Sequence, residues 1–126
     1  NEEFFERALN TPRTLLTDTL AKNPKKARVE TVGDKRVYSD GSRTVEFYHI
    51  FPAPHSNGLL IAYIPKEKIL FQGDFSLPAA GQPANDHVKA LAAALDKLNL
   101  DYDRYINVHA SATPQTRADL LKSVGK

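Results

Sequence analysis

The sequence predicts a single α/β (α+β) domain, and three observations predict it. The pattern changes to a period of two at residue 28, and short strand-length segments bounded by turn residues follow as far as residue 71. Apolar residues recur at helical spacing in the first 20 residues, between residues 86 and 98, and again at the end. Gly and Pro punctuate each change of period. At 126 residues the chain suits one compact domain, and 41% apolar with 25% charged residues is an ordinary globular balance.

Taken in order, the first segment reads as helix. Phe4, Phe5, Ala8 and Leu9 share a face, and Thr11-Pro12 marks a fresh start, with Thr11 as N-cap and Pro12 in the first turn. Leu15, Leu16, Thr19 and Leu20 continue the stripe until Asn23-Pro24 stops it, giving two short helices or one kinked one. Arg28–Val32 and Lys35–Tyr38 read as a hairpin around Gly33-Asp34, and Ser39-Asp40-Gly41-Ser42 as a second turn. Thr44–Phe51 alternates, with Val45, Phe47, His49 and Phe51 on one face and Thr44, Glu46, Tyr48 and Ile50 on the other. That placement makes His49 a hydrogen-bonded core histidine. Two prolines in "FPAPH" end the strand.

Gly58–Ile64 and Lys68–Phe71 form the next pair, turning through Pro65-Lys66-Glu67; the first is nearly all apolar, which predicts cover on both faces. Gly73 ends the second, and Phe75 to Asn85 is a long loop of the kind that serves a site. Asn85 or Asp86 caps the clearest helix, with Val88, Leu91, Ala92, Leu95 and Leu98 inward. Arg104–Val108 is a last strand, and Thr113-Pro114 opens a terminal helix with Leu120, Leu121 and Val124 inward.

Polar candidates gather at strand ends. His55 precedes one strand, Asp74 follows another, and His109 follows the last. In layered α/β proteins ligands bind where such loops converge, and imidazole and carboxylate both suit zinc. His87, in the first turn of a helix, reads as structural or exposed. With no cysteine, disulfides, thiolate zinc sites and cysteine nucleophiles are excluded.

Three stretches resemble the second half of the metallo-β-lactamase superfamily: "FYHIFPAPHSNG", "YIPKEKILFQGDF" and "INVHASATP" followed by a helix, together spanning roughly Thr44 to Lys126. The resemblance implies half of an αββα sandwich, a mixed or antiparallel sheet with helices packed on one face. It implies a zinc-dependent hydrolase in which His55 completes three imidazoles on one ion, Asp74 bridges two ions, and His109 completes the second set. A metal-bound hydroxide would then be the nucleophile.

The superfamily's first-half motif, His-x-His-x-Asp-His, is absent: no His-x-His occurs, and His49 is the first histidine. Ala110 stands where the superfamily often has Gly after the last His. The chain is therefore expected to be the C-terminal portion of a two-zinc hydrolase acting on a small molecule. Alone it would hold one zinc weakly or none and be inactive. Its partners would be the missing N-terminal half or a second copy. The alternative is a metal-free α/β interaction or dimerisation module. A net charge of +2 does not favour nucleic acid, and no apolar run approaches the ~20 residues of a membrane span. Compartment and substrate stay open.

Overall fold

The computed structural model describes residues 2–12, 18–79, 82–109 and 114–126. The chain divides into two compact units, Asn1–Thr31 and Val32–Lys126. In the first, helix α1 (Glu2–Asn10) places Glu2 and Glu3 in its first turn and Arg7 in its last, as the helix dipole favours. Phe4, Phe5 and Leu9 are about half exposed. Asn10 Oδ1 accepts a hydrogen bond from the Ala27 amide at 2.7 Å. Helix α2 (Thr19–Lys22) is capped by Asp18, whose carboxylate accepts from the Ala21 amide at 2.8 Å. Leu15 and Leu16 of the expected stripe lie outside the described residues. Residues 28–32 form no strand. Their apolar members, Val29 and Val32, are three apart and offer no single face to a sheet.

The second unit is built on one sheet in the order β1-β2-β3-β4-β5-β6. Its strands are β1 (Lys35–Ser39), β2 (Thr44–His49), β3 (Leu60–Ile64), β4 (Ile69–Gln72), β5 (Arg104–Asn107) and β6 (Gln115–Thr116). All neighbours pair antiparallel except β4 and β5. That parallel pair requires a crossover, supplied by α3 (Asp86–Leu98). The β1–β2 turn is set by Asp40, whose Oδ1 accepts from the Ser42 and Arg43 amides at 2.8 Å, and by Gly41 at φ 89°. Those bonds hold the Asp40 carboxyl down at about 2.

Register decides what is buried. Tyr48 opposes Ile61, Tyr63 opposes Leu70, and Leu70 lies beside Tyr105. This face joins Val88, Leu91, Ala92 and Leu95 of α3 and Leu120 of α4 (Arg117–Ser123) in one core. Helix α3 holds its place through Asn85, whose side chain accepts from the Val88 amide at 2.9 Å. It ends where Asn99 turns left-handed at φ 49°. Helix α4 carries a full capping box between Thr116 and Asp119.

The opposite face is the one the alternation of Thr44–Phe51 offered as a core face. Phe47, Ala62, Phe71 and Ile106 lie across it in register. Phe71 is 43% exposed and Leu60 42%. Cover on both faces of the β3 strand was expected from its apolar run; only the Ile61 and Tyr63 side is buried. The apolar run thus reflects two apolar faces of which this chain's helices cover one.

Tyr102 is buried beside the core, and burial pushes its phenol up to about 12. A folded-state value above the unfolded one near 10 means the neutral phenol's contribution is intact below pH 10 and lost as pH rises towards 12. Tyr102 is expected to account for about 2–3 kcal/mol of the fall in stability across that window. Urea midpoints measured from pH 9 to 12 check this: Tyr102→Phe should make the decline shallower by that amount, the other buried phenols keeping their share.

Candidate functional site

Two buried polar side chains position the site. Gln72 and Asn107 end β4 and β5 as register partners in the parallel pair. Gln72, 2% exposed, clamps the chain that follows: its Oε1 accepts from the Phe75 amide at 2.7 Å, and its Nε2 donates to the Phe75 carbonyl at 3.2 Å. The Tyr105 hydroxyl donates to the same carbonyl, and burial pushes that phenol far up. Asn107 Nδ2 donates to Ser76 Oγ at 3.0 Å, while its Oδ1 accepts from the His109 amide at 2.7 Å. The Val108 amide bonds the Gln72 carbonyl at 3.1 Å, carrying the pairing past the strand ends.

Asp74 and His109 each stand two residues beyond those register partners, so the parallel pairing brings them level. His109 Nε2 lies 3.0 Å from Asp74 Oδ1. Both are open to solvent, His109 the more so.

His55 rides on the excursion between β2 and β3. The neck of that loop closes through the Ile50 amide and Leu59 carbonyl at 2.9 Å. His49 braces it, with Nε2 2.6 Å from the Asn57 carbonyl and its ring stacked on Phe51. His49 is therefore hydrogen-bonded, as expected, but half-buried on the face opposite the helix-covered core. It acts as a brace for the loop rather than as a core residue.

His55 is exposed and lies 5.1 Å, ring to ring, from His87. His87 was read from sequence as structural or exposed. It is half-buried and stacks on Phe75 at 4.3 Å with an interplanar angle of 22°. Both of its ring nitrogens are buried, and neither has a hydrogen-bond partner among the described residues. Such a group costs about 1–3 kcal/mol unless something else satisfies it. Burial lowers its pKa, and His55 lowers it further, while Asp74 opposes them. Its position two residues after the cap of the helix that follows the Asp74 loop is the sole sequence hint of this placement.

The three sequence candidates thus reach one neighbourhood as parts of two pairs, Asp74–His109 and His55–His87. Among the described residues no three His, Asp or Glu side chains converge on a position for one metal ion. The resemblance gives His55 and His109 to different ions, with further imidazoles from elsewhere; in this chain an Asp74 oxygen pairs with His109. A groove of about 700 Å³ runs beside Leu77, Pro83, Ala84, Lys122 and Val124, and none of the four site residues lines it.

No family model matches the sequence, and no curated protein matches it. Solved structures do match. A metallo-β-lactamase from Pontibacter korlensis is similar with a TM-score of 0.53 and 19% identity, over 80% of this chain and 49% of that one. DIM-1 metallo-β-lactamase is similar with a TM-score of 0.53 and 20% identity, over 97% of this chain and 59% of that one. A flavodiiron protein from Giardia intestinalis reaches 0.53 with 15% identity, over 83% of this chain and 30% of that one. At these identities the likeness shows the fold: this chain has the architecture of the metallo-β-lactamases, and it spans about half the length of the β-lactamases matched.

Proposed function

We propose that this chain is the C-terminal portion of a metallo-β-lactamase-like, zinc-dependent hydrolase, and that hydrolysis of a small-molecule substrate resides in the whole protein. The observation that carries the reading is the meeting of Asp74 and His109 at the adjoining ends of parallel strands β4 and β5. The span of about half the matched β-lactamases supports it. His55, Asp74 and His109 are this chain's share of the metal ligands. The remaining imidazoles come from the other half.

The isolated chain accordingly has little or no hydrolase activity. Assayed with zinc against β-lactam, thioester, lactone and phosphodiester substrates, it should show no turnover above a denatured control. Zinc-dependent turnover abolished by Asp74→Ala would overturn this. The coding sequence upstream of Asn1 is expected to contain His-x-His-x-Asp-His.

A second reading, an interaction or dimerisation module, is favoured by the apolar row Phe47, Ala62, Phe71 and Ile106 on the half-open sheet face. The occupant we assign in the isolated chain is a second copy. Isologous pairing would let each copy present the same patch to the other. A sedimentation coefficient that rises with protein concentration is the expected result, and a concentration-independent monomer would count against it.

A further inference from the structure

We propose that His87 is a positioning residue for His55, holding by ring contact the imidazole that the whole protein uses as a metal ligand. This deepens the hydrolase reading and rests on it, because it takes His55 as a ligand. The superfamily resemblance gives His87 no role.

Ring contacts run from the core to the loop that carries His55. Phe75 is the fixed end: it is fully buried, Gln72 holds its amide and carbonyl, and Tyr105 donates to the same carbonyl. His87 stacks on the Phe75 ring at 4.3 Å with an interplanar angle of 22°. His55 meets His87 at 5.1 Å with the planes tilted by 52°, within the range of about 4.5–7 Å over which aromatic rings attract. Phe75 directly follows Asp74, so these contacts set His55 relative to the Asp74 end of β4.

A residue that positions another has to be fixed itself. His87 lies in the first turn of α3, between the Asn85 cap and the fully buried Val88. Neither of its shielded ring nitrogens has a hydrogen-bond partner among the described residues, so ring shape, not a directed bond, is what it offers. The backbone of the His55 loop is tied separately. Ala53 is buried in the core, the Ile50 amide bonds the Leu59 carbonyl, and His49 bonds the Asn57 carbonyl. Those ties leave the exposed His55 side chain to be held by the ring it touches, which is that of His87. Exposed side chains otherwise change rotamer in picoseconds to nanoseconds. Holding one rotamer in advance removes an ordering cost from ligation.

The test is relaxation of the His55 ring carbons in the metal-free 126-residue chain. His87→Ala should take away about a third of the ring's order, the difference between rigid and flexible groups. His87→Phe, which restores a flat ring and adds no nitrogen, should bring the order back. The His49–Asn57 and Asp74–His109 contacts should persist in both variants, since neither depends on His87. Filling of the core alone would lower the urea midpoint of His87→Ala and leave His55 as ordered as in wild type. That result overturns the proposal, as does a His87→Phe chain as loose as His87→Ala. If His87→Ala fails to fold by circular dichroism, the wild-type chain decides: nuclear Overhauser contacts between the His55 and His87 rings are expected, and their absence overturns the proposal. In the whole protein, His87→Ala should weaken zinc binding about 10–100-fold while His87→Phe stays within about threefold; unchanged affinity in His87→Ala overturns it. Turnover and the upstream sequence test the hydrolase reading, whereas His55 order is read without metal, so the two fail separately.

Discussion

Tyr105→Ala is expected to destabilise the Val32–Lys126 unit by about 3–5 kcal/mol, the range for emptying a buried aromatic site. Tyr105 is fully buried on β5, between Leu70 on β4 and Gln115 on the edge strand β6. Truncation leaves a cavity in the core and removes the hydroxyl that donates to the Phe75 carbonyl. Gln72 Nε2 still reaches that carbonyl at 3.2 Å, so the lost hydrogen bond is the smaller part of the effect. Tyr105→Phe separates the two and should cost only about 0.5–1.5 kcal/mol. Domains of this size are stable by about 5–15 kcal/mol, so the alanine variant loses a large fraction of the total. Urea unfolding is the measurement: the midpoint should drop with little change in slope. A shift in Tyr105→Ala no larger than in Tyr105→Phe would show that the cavity collapses and that packing around β5 is loose.

The same substitution bears on the site, because Phe75 is where core and site meet. Its amide and carbonyl are held by Gln72 and Tyr105, and its ring carries His87. Loosening that carbonyl frees the 74–76 segment that presents Asp74. A broadened His87 resonance in Tyr105→Ala, absent in Tyr105→Phe, would report that link.

How much of this was legible in the sequence depends on whether the signal was local. Helix α3 was legible because its cap and its apolar spacing lie within fifteen residues and agree. Asp74 and His109 were legible as strand-end residues, since Gly73 marks one end and the apolar run before His109 marks the other. Their contact depends on the Gln72–Asn107 register, a pairing across more than thirty residues that no local pattern states. His87 was missed for the same reason. On its own helix it looks like a surface residue, and only the folded loop brings Phe75 and His55 against it.

The two faces of the sheet failed differently. Both faces of β2 and β3 are apolar, so alternation named the right pair of residue sets but could not say which one the helices cover. Strand β6 is two residues long and too short to show any period. A change of period at residue 28 and the Gly33-Asp34 turn predict a strand over Arg28–Val32; Gly33 does turn, at φ 63°, but the chain before it has no sheet face to offer.

That apolar second face leads to the other large expected effect. Phe71→Lys should weaken self-association by at least about tenfold while changing the chain's own stability little. Phe71 is 43% exposed and sits mid-face between Ala62 and Ile106. Completing the burial of such a side chain supplies roughly half of the 1.5–3 kcal/mol that full burial of a Phe gives. Symmetry counts the loss twice, for about 1.5–3 kcal/mol, or about one to two decades in the dimer constant. The new ammonium adds an unpaired charge at the centre of the interface, and removing it from water costs more. In the monomer the same position faces solvent, and a lysine stem can lie along the neighbouring apolar surface with its head in water. Equilibrium sedimentation of the two proteins separates the cases. An unchanged dimer constant would place the interface away from this face, and a variant that unfolds would show that the face is closed within the chain itself.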